Sequence, residues 1–165
     1  MIVGKEGWKG LPDEMRRTIP EIVNRLRNHP ELAKHLFWLE GISDAYLEKV
    51  YAACTCLIVA SEGEGFGLPL IEAAQRGLPI LVRDIPVFRE VAGEHAFYFD
   101  GLDPQSLEDA LGTWLLLDAE GVAPRSDNTP WLTWRQSLEQ LLATILPTMY
   151  PEAGAMSGPS EFQVA

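Results

Sequence analysis

An apolar run at 56–60 is followed at once by Ser61-Glu62-Gly63-Glu64-Gly65-Phe66-Gly67-Leu68, and then by a helix signal at Pro69. This strand–turn–helix unit constrains the fold more than any other feature of the chain. A short, continuous apolar run reads as a fully buried parallel strand. Pro69 suits the first helical position, where a missing N–H costs nothing. Leu68 offers no capping side chain, so the first-turn N–H groups have no obvious internal partner. Gly63, Gly65 and Gly67 allow unusual dihedrals and close approach of a ligand. A glycine turn feeding an uncapped helix start is a natural anion site, and phosphate is the usual guest.

The same alternation recurs along the chain. Residues 1–4 read as a strand tail, and 14–27 as a helical region interrupted by Pro20, with Ile22, Val23 and Leu26 as its apolar face. A short strand is expected at 37–39. A helix capped by Ser43 or Asp44 runs to residue 53, with Leu47, Val50, Tyr51 and Cys54 at helical spacing. After the strand at 56–60 come a helix over 69–76 stopped by Gly77, a strand at 79–82, a helix at 87–91 and a strand at 96–99. A helix is expected from Asp103 or Pro104 to 118 and a polar linker over 121–129. The last helix covers 131–146, with Leu138, Leu141, Leu142 and Ile145 inward, the Trp131–Trp134 pair packing against it and Pro147 stopping it. Strands alternating with helices give an α/β fold, a Rossmann-like parallel sheet with helices on both faces. Ligands of such sheets bind outside the carboxyl ends of the strands. The loops after Val3, Leu39, Ala60 and Val82 are therefore expected on one edge.

Two carboxylates bracket the turn, Glu64 before it and Glu72 about one turn into the helix. Helical side chains lean toward the N-terminus, so Glu72 reaches the mouth of the turn. Two acids repel phosphate unless they address something else. Ribose or sugar hydroxyls suit them, as does a glycosyl centre that becomes positive in its transition state. Taken singly, Glu72 also reads as a first-turn acid complementing the helix dipole, worth about 0.3–1 kcal/mol, and Glu64 as a solvated loop acid. Taken with the glycines and the apolar strand, they point to function.

The segment Glu64-Gly-Phe-Gly-Leu-Pro-Leu-Ile-Glu72 resembles the Glu-x(7)-Glu motif of the retaining family 4 glycosyltransferases. The similarity covers roughly residues 1–146. It includes Ile2-Val3-Gly4, the segments at 39–47 and 77–92, and Ser126-Asp-Asn-Thr-Pro-Trp-Leu-Thr-Trp134. It is most like that of bacterial mannosyltransferases building polysaccharide or O-antigen chains. The resemblance implies the C-terminal, donor-binding half of a GT-B fold. By it, Glu72 hydrogen-bonds the ribose of a nucleotide, and Glu64 lies by the transferred sugar. The main chain from Gly65 through Phe66, Gly67 and Leu68 meets sugar hydroxyls or the diphosphate, and Gly41-Ile42-Ser43 reads the base. Ser61 is a further donor contact, and Lys5 approaches the phosphates. Ser43 reads equally as a helix cap, Ser61 as a strand-end hydroxyl, and Lys5 as an exposed lysine. His95 reads as a turn residue, and His29 and His35 as surface helix-end residues.

The implied donor is GDP-mannose, with a UDP-hexose second. No cofactor beyond this substrate and no metal are expected, since no Asp-x-Asp signature occurs. The family pattern also predicts that the first strand of this domain, with its basic clamp on the leaving diphosphate, and the whole acceptor-binding N-terminal domain are missing here. Residues 1–148 are then a nucleotide-sugar-binding domain truncated at its start, and 149–165, rich in Gly, Ser and Pro, a disordered tail. Partners follow: the donor, and either the missing acceptor domain or a separate chain that supplies it. The isolated chain is expected to be inactive. Two alternatives are a non-catalytic partner of a split transferase and a generic nucleotide-binding module. Neither Gly-x-Gly-x-x-Gly nor a Gly-Lys-Ser/Thr loop is present, which argues against dinucleotide or ATP use.

Composition bounds the remaining classes. The 165 residues carry a net charge of −11 and no basic run, which argues against nucleic-acid binding. No apolar stretch reaches the about 18 residues of a membrane span. Cys54 and Cys56 are too close for an ordinary disulfide and read as reduced core residues of a cytoplasmic protein. The inner face of the membrane is the alternative location.

Overall fold

The computed structural model describes residues 1–7 and 9–149. The expected disordered tail lies, past its first residue, outside the described residues. The chain divides into two compact units, Met1–Cys54 and Thr55 onward, and each is described by itself.

In the first unit β1 (Ile2–Val3) pairs in parallel with β2 (Trp38–Leu39), Ile2 opposite Trp38 and Val3 opposite Leu39. The helical region expected at 14–27 is divided. Asp13–Met15 form a 3-10 turn, and α1 spans Ile19–Arg27. Arg17, with φ +53°, breaks the helical path between them. Pro20 falls in the first turn of α1, where it removes no helical hydrogen bond. Val23 of α1 is buried, whereas Ile22 stays 51% exposed, contrary to the face read from spacing. One carboxylate gathers the unit: Glu6 accepts from Arg16 at 2.6 Å and from Arg27 at 2.9 Å. The Arg16 guanidinium holds the Glu6 carboxyl below its usual range. The helix α2 (Asp44–Ala53) starts where expected. Ser43 is its cap, its Oγ accepting from the Tyr46 N–H at 3.3 Å, and Val50 and Tyr51 are buried. Cys54 terminates the helix and is half-buried.

The second unit holds a parallel sheet in the order β3 (Leu57–Val59), β4 (Ile80–Arg83), β5 (Phe97–Phe99). Its helices are α3 (Leu68–Ala74), α4 (Pro86–Ala92), α5 (Pro104–Ala119) and α6 (Trp134–Met149). Strand β4 lies in the middle, and Ile80, Leu81 and Val82 are wholly buried. Leu81 joins Phe99, Ala110 and Trp114 in a core on which Cys56, Leu107 and Leu111 also pack. The buried strand is therefore β4 and not the run at 56–60, which was expected to be fully buried. Among the described residues β3 pairs only with β4, and its Ile58 is 43% exposed, because an edge strand has a neighbour on one side alone.

Asp103 caps α5 by accepting from the Ser106 N–H at 3.0 Å. The supposed linker at 121–129 is anchored instead: Ser126 and Thr129 are buried, and Ser126 Oγ donates to the Leu78 carbonyl at 2.7 Å. The last helix departs from expectation. Leu138, Leu141, Leu142 and Ile145 are exposed, as are Trp131 and Trp134, and α6 continues past Pro147 to Met149. An apolar stripe shows which face of a helix can be buried, not that a partner covers it. A proline that close to the helix end removes a single hydrogen bond.

Candidate functional site

The turn leaves β3 at Val59 and enters α3 at Leu68, one residue before the expected start. Gly67 is buried at the N-cap position with φ +73°, and no side chain caps the helix. A Cβ on Gly67 would meet the Phe88 ring and Val91 at 3.6 Å. That is ordinary contact, so the glycine is required by its left-handed backbone rather than by space. Gly63 and Gly65 differ from expectation. Neither has positive φ, and a Cβ on either would meet nothing within 4 Å. Gly67 alone supplies the special dihedral, because it alone must turn the chain into a helix against a packed wall.

Burial then sorts the turn. Leu70 and Ala73 anchor α3 in the core. Glu64 is exposed, and its Oε1 accepts from the Gly65 N–H at 2.9 Å. Gly65, Phe66 (61%) and Leu68 (46%) are exposed, while Ser61 is half-buried. Glu72 is half-buried, and its backbone carbonyl accepts from Arg76 Nη1. Both acids therefore belong to one strand–turn–helix unit at the carboxyl end of a parallel sheet, as predicted.

Sequence reasoning missed the residues that brace this unit. Arg83, the last residue of β4, donates to the Ala60 carbonyl through Nε at 3.2 Å and Nη2 at 3.1 Å. Beyond it, the Asp84 carboxylate accepts from Arg89 of α4, through Nε at 2.8 Å and through Nη2. The Arg89 guanidinium lies 3.6 Å from the centre of the Tyr98 ring, and Tyr98 OH donates to the Gly93 carbonyl at 2.8 Å. This network holds α4, whose Phe88 and Val91 form the wall behind Gly67. The signal was present: Arg83 and Asp84 directly follow a strand, on the edge where ligands of such sheets bind.

Arg89 holds the Asp84 carboxyl below its usual range, chiefly by hydrogen bonding. A folded pKa below the unfolded one stabilises the fold above the unfolded value, and that contribution is lost as pH falls through the folded value. In thermal unfolding at descending pH, Asp84→Asn is thus expected to melt below wild type near neutrality. The two curves should converge in acid, once Asp84 is protonated in both states.

In the first unit Lys5 and Gly41 come together. The Lys5 Cε lies 3.5 Å from where a Gly41 Cβ would sit, and Gly41 has φ +65°. With Glu6, Lys9 and Glu40 they line a cleft of about 430 Å³. Ile42 is half-buried, and the Ser43 hydroxyl is engaged as a cap. Among the described residues no three His, Cys, Asp or Glu side chains gather as a metal site would need. Among them, too, no helix is long and apolar enough to cross a membrane.

A family profile described as "Glycosyl transferases group 1" matches residues 22–125, a span that contains both acids, Arg83 and Arg89. The chain is similar to the serotype-specific mannosyltransferase WbdA of Escherichia coli, 51% identical over 152 residues, which are 92% of this chain and 17% of that protein. It is 37% identical over 81 residues to the O-antigen chain mannosyltransferase RfbU of Salmonella typhimurium, covering 49% of this chain and 23% of that one. To the D-inositol 3-phosphate glycosyltransferase of Corynebacterium urealyticum it is 28% identical over 142 residues, 82% of this chain and 33% of that one.

Proposed function

The chain belongs to the group 1 glycosyl transferases, and from that premise we propose that its 61–68 turn and α3 hold the sugar-nucleotide donor of a retaining mannosyl transfer in O-antigen or related polysaccharide synthesis. The observation that carries this reading is the placement of Glu64 and Glu72 on either side of an uncapped, left-handed entry into α3. Glu72, set one turn into a helix anchored by Leu70 and Ala73, accepts hydrogen bonds from the ribose. Glu64, exposed on the turn, accepts from hydroxyls of the sugar and favours the positive charge that grows at its anomeric carbon. Main-chain N–H groups of Phe66, Gly67 and Leu68 face the sugar or the diphosphate. GDP-mannose is the donor in this proposal, and no metal is required. Within the first unit, the Lys5 side chain is assigned to phosphate and the Gly41-Ile42-Ser43 main chain to the base, on the resemblance and on their mutual proximity.

The chain spans 17% of the WbdA proteins it matches. We assign the acceptor side of the reaction to polypeptide beyond these 165 residues or to a separate chain. With the acceptor side assigned elsewhere, transfer by this chain alone is expected to be very slow.

Calorimetric titration with GDP, UDP and ADP tests the reading. GDP is expected to bind most tightly, with GDP-mannose tighter still. If none of the three nucleotides binds, the donor-site assignment is wrong.

A further inference from the structure

Strand β3 ends at Val59, which pairs with Val82 of β4. One step on, Ala60 and Arg83 face each other beyond the ladder. There the guanidinium takes over from the backbone, its Nε and Nη2 both donating to the Ala60 carbonyl. Its carbon lies 4.9 Å from the centre of the Phe99 ring, and Phe99 is the β5 partner of Arg83 in register and is itself buried. One side chain thus bridges all three strands at their carboxyl edge. Its point of attachment is the last carbonyl before Ser61 and the turn that carries Glu64.

Arg83 is also held without a carboxylate. The adjacent carboxylate, Asp84, is turned away to Arg89. Among the described residues Arg83 has no acidic partner, and its Nη1 is buried without a hydrogen bond. A buried donor on a cation is costly to leave without a partner, so the placement of Arg83 is set by its bonds to the Ala60 carbonyl and its stacking on Phe99.

We propose that Arg83 is a positioning residue for the sugar half of the donor: by fixing the Ala60 carbonyl it sets where the chain leaves β3, and so where Glu64 stands. The proposal rests on the donor-site reading above and deepens it. Glu72 does not depend on this anchor, because α3 is seated separately by Leu70, Ala73 and the Phe88 wall behind Gly67. The two halves of the donor should therefore respond differently to a change at Arg83. The nucleotide half answers to Glu72 and α3, and the sugar half to the exit from β3.

The measurement is the ratio of GDP-mannose to GDP affinity, by calorimetry on the full 165-residue chain, for wild type, Arg83→Met and Arg83→Lys. Arg83→Met is expected to leave GDP affinity within about threefold while the ratio falls about tenfold, the scale of one charge-assisted hydrogen bond. Arg83→Lys, which keeps a donor for the Ala60 carbonyl, should restore most of the ratio. A purely structural arginine would lower both affinities together and leave the ratio unchanged, and that result would overturn the proposal. An unaltered Arg83→Met would overturn it equally. If wild type binds neither ligand, the donor-site reading itself fails, which is a distinct outcome. Where the Met variant does not fold, Arg83→Gln takes its place and is judged by the same ratio.

Discussion

Glu72→Ala is expected to weaken GDP binding by about ten- to a hundredfold, the loss of hydrogen bonds to a charged acceptor worth about 1.5–3 kcal/mol. The fold should survive the change. Glu72 is only half-buried, alanine is the best helix former, and the residues that seat α3 are Leu70, Ala73 and Ala74. Glu72→Gln should lose less, since the amide oxygen still accepts one bond without the charge. Binding of guanosine without its phosphates should fall in the same proportion, because the contact is to ribose. Calorimetry on folded variants, checked by circular dichroism, measures all three. GDP affinity that survives Glu72→Ala would remove the ribose assignment.

Phe88→Ala is expected to be among the most destabilising single changes in the second unit. Phe88 is wholly buried, and truncating a buried Phe to Ala costs about 3–5 kcal/mol. For a chain of this size each kcal/mol lowers Tm by about 2–4 °C, so a fall of at least several degrees is expected in a thermal melt. The loss also opens the wall behind Gly67, so nucleotide affinity should drop even at temperatures where the variant stays folded. Phe88→Leu keeps most of the volume and should cost less than about 1.5 kcal/mol. If Phe88→Ala melts with wild type, the packing of α4 behind the turn is not what holds α3.

Much of this was readable from local signals. Ser43 was a predicted cap and is one, because capping is a contact between near neighbours. The parallel pairing, the strand positions within a residue or two, and the turn bracketed by Glu64 and Glu72 followed from alternation, glycine and proline placement. What escaped was long-range. The run at 56–60, expected to be fully buried, leaves Ile58 exposed while β4 is the buried strand, because edge and centre are properties of a sheet, not of a strand. Ser126 sits in a polar stretch that looked like linker, yet it is tied to Leu78 far back in the sequence. The stripe of α6 was correctly apolar and is nonetheless exposed, since periodicity names a face and only a partner buries it.

The sequence by itself determined the family, the α/β class and the two acids of the turn, for these depend on residue types at short, fixed spacings. Tertiary structure decided which glycine of the 61–68 turn bears the left-handed dihedral: Gly67 has positive φ at the entry to α3, and Gly63 and Gly65 do not. It also decided that Arg83 spends its hydrogen bonds on a carbonyl while Asp84 turns to Arg89. Those choices depend on which strands lie side by side, and neighbouring strands meet only after the intervening chain has folded between them.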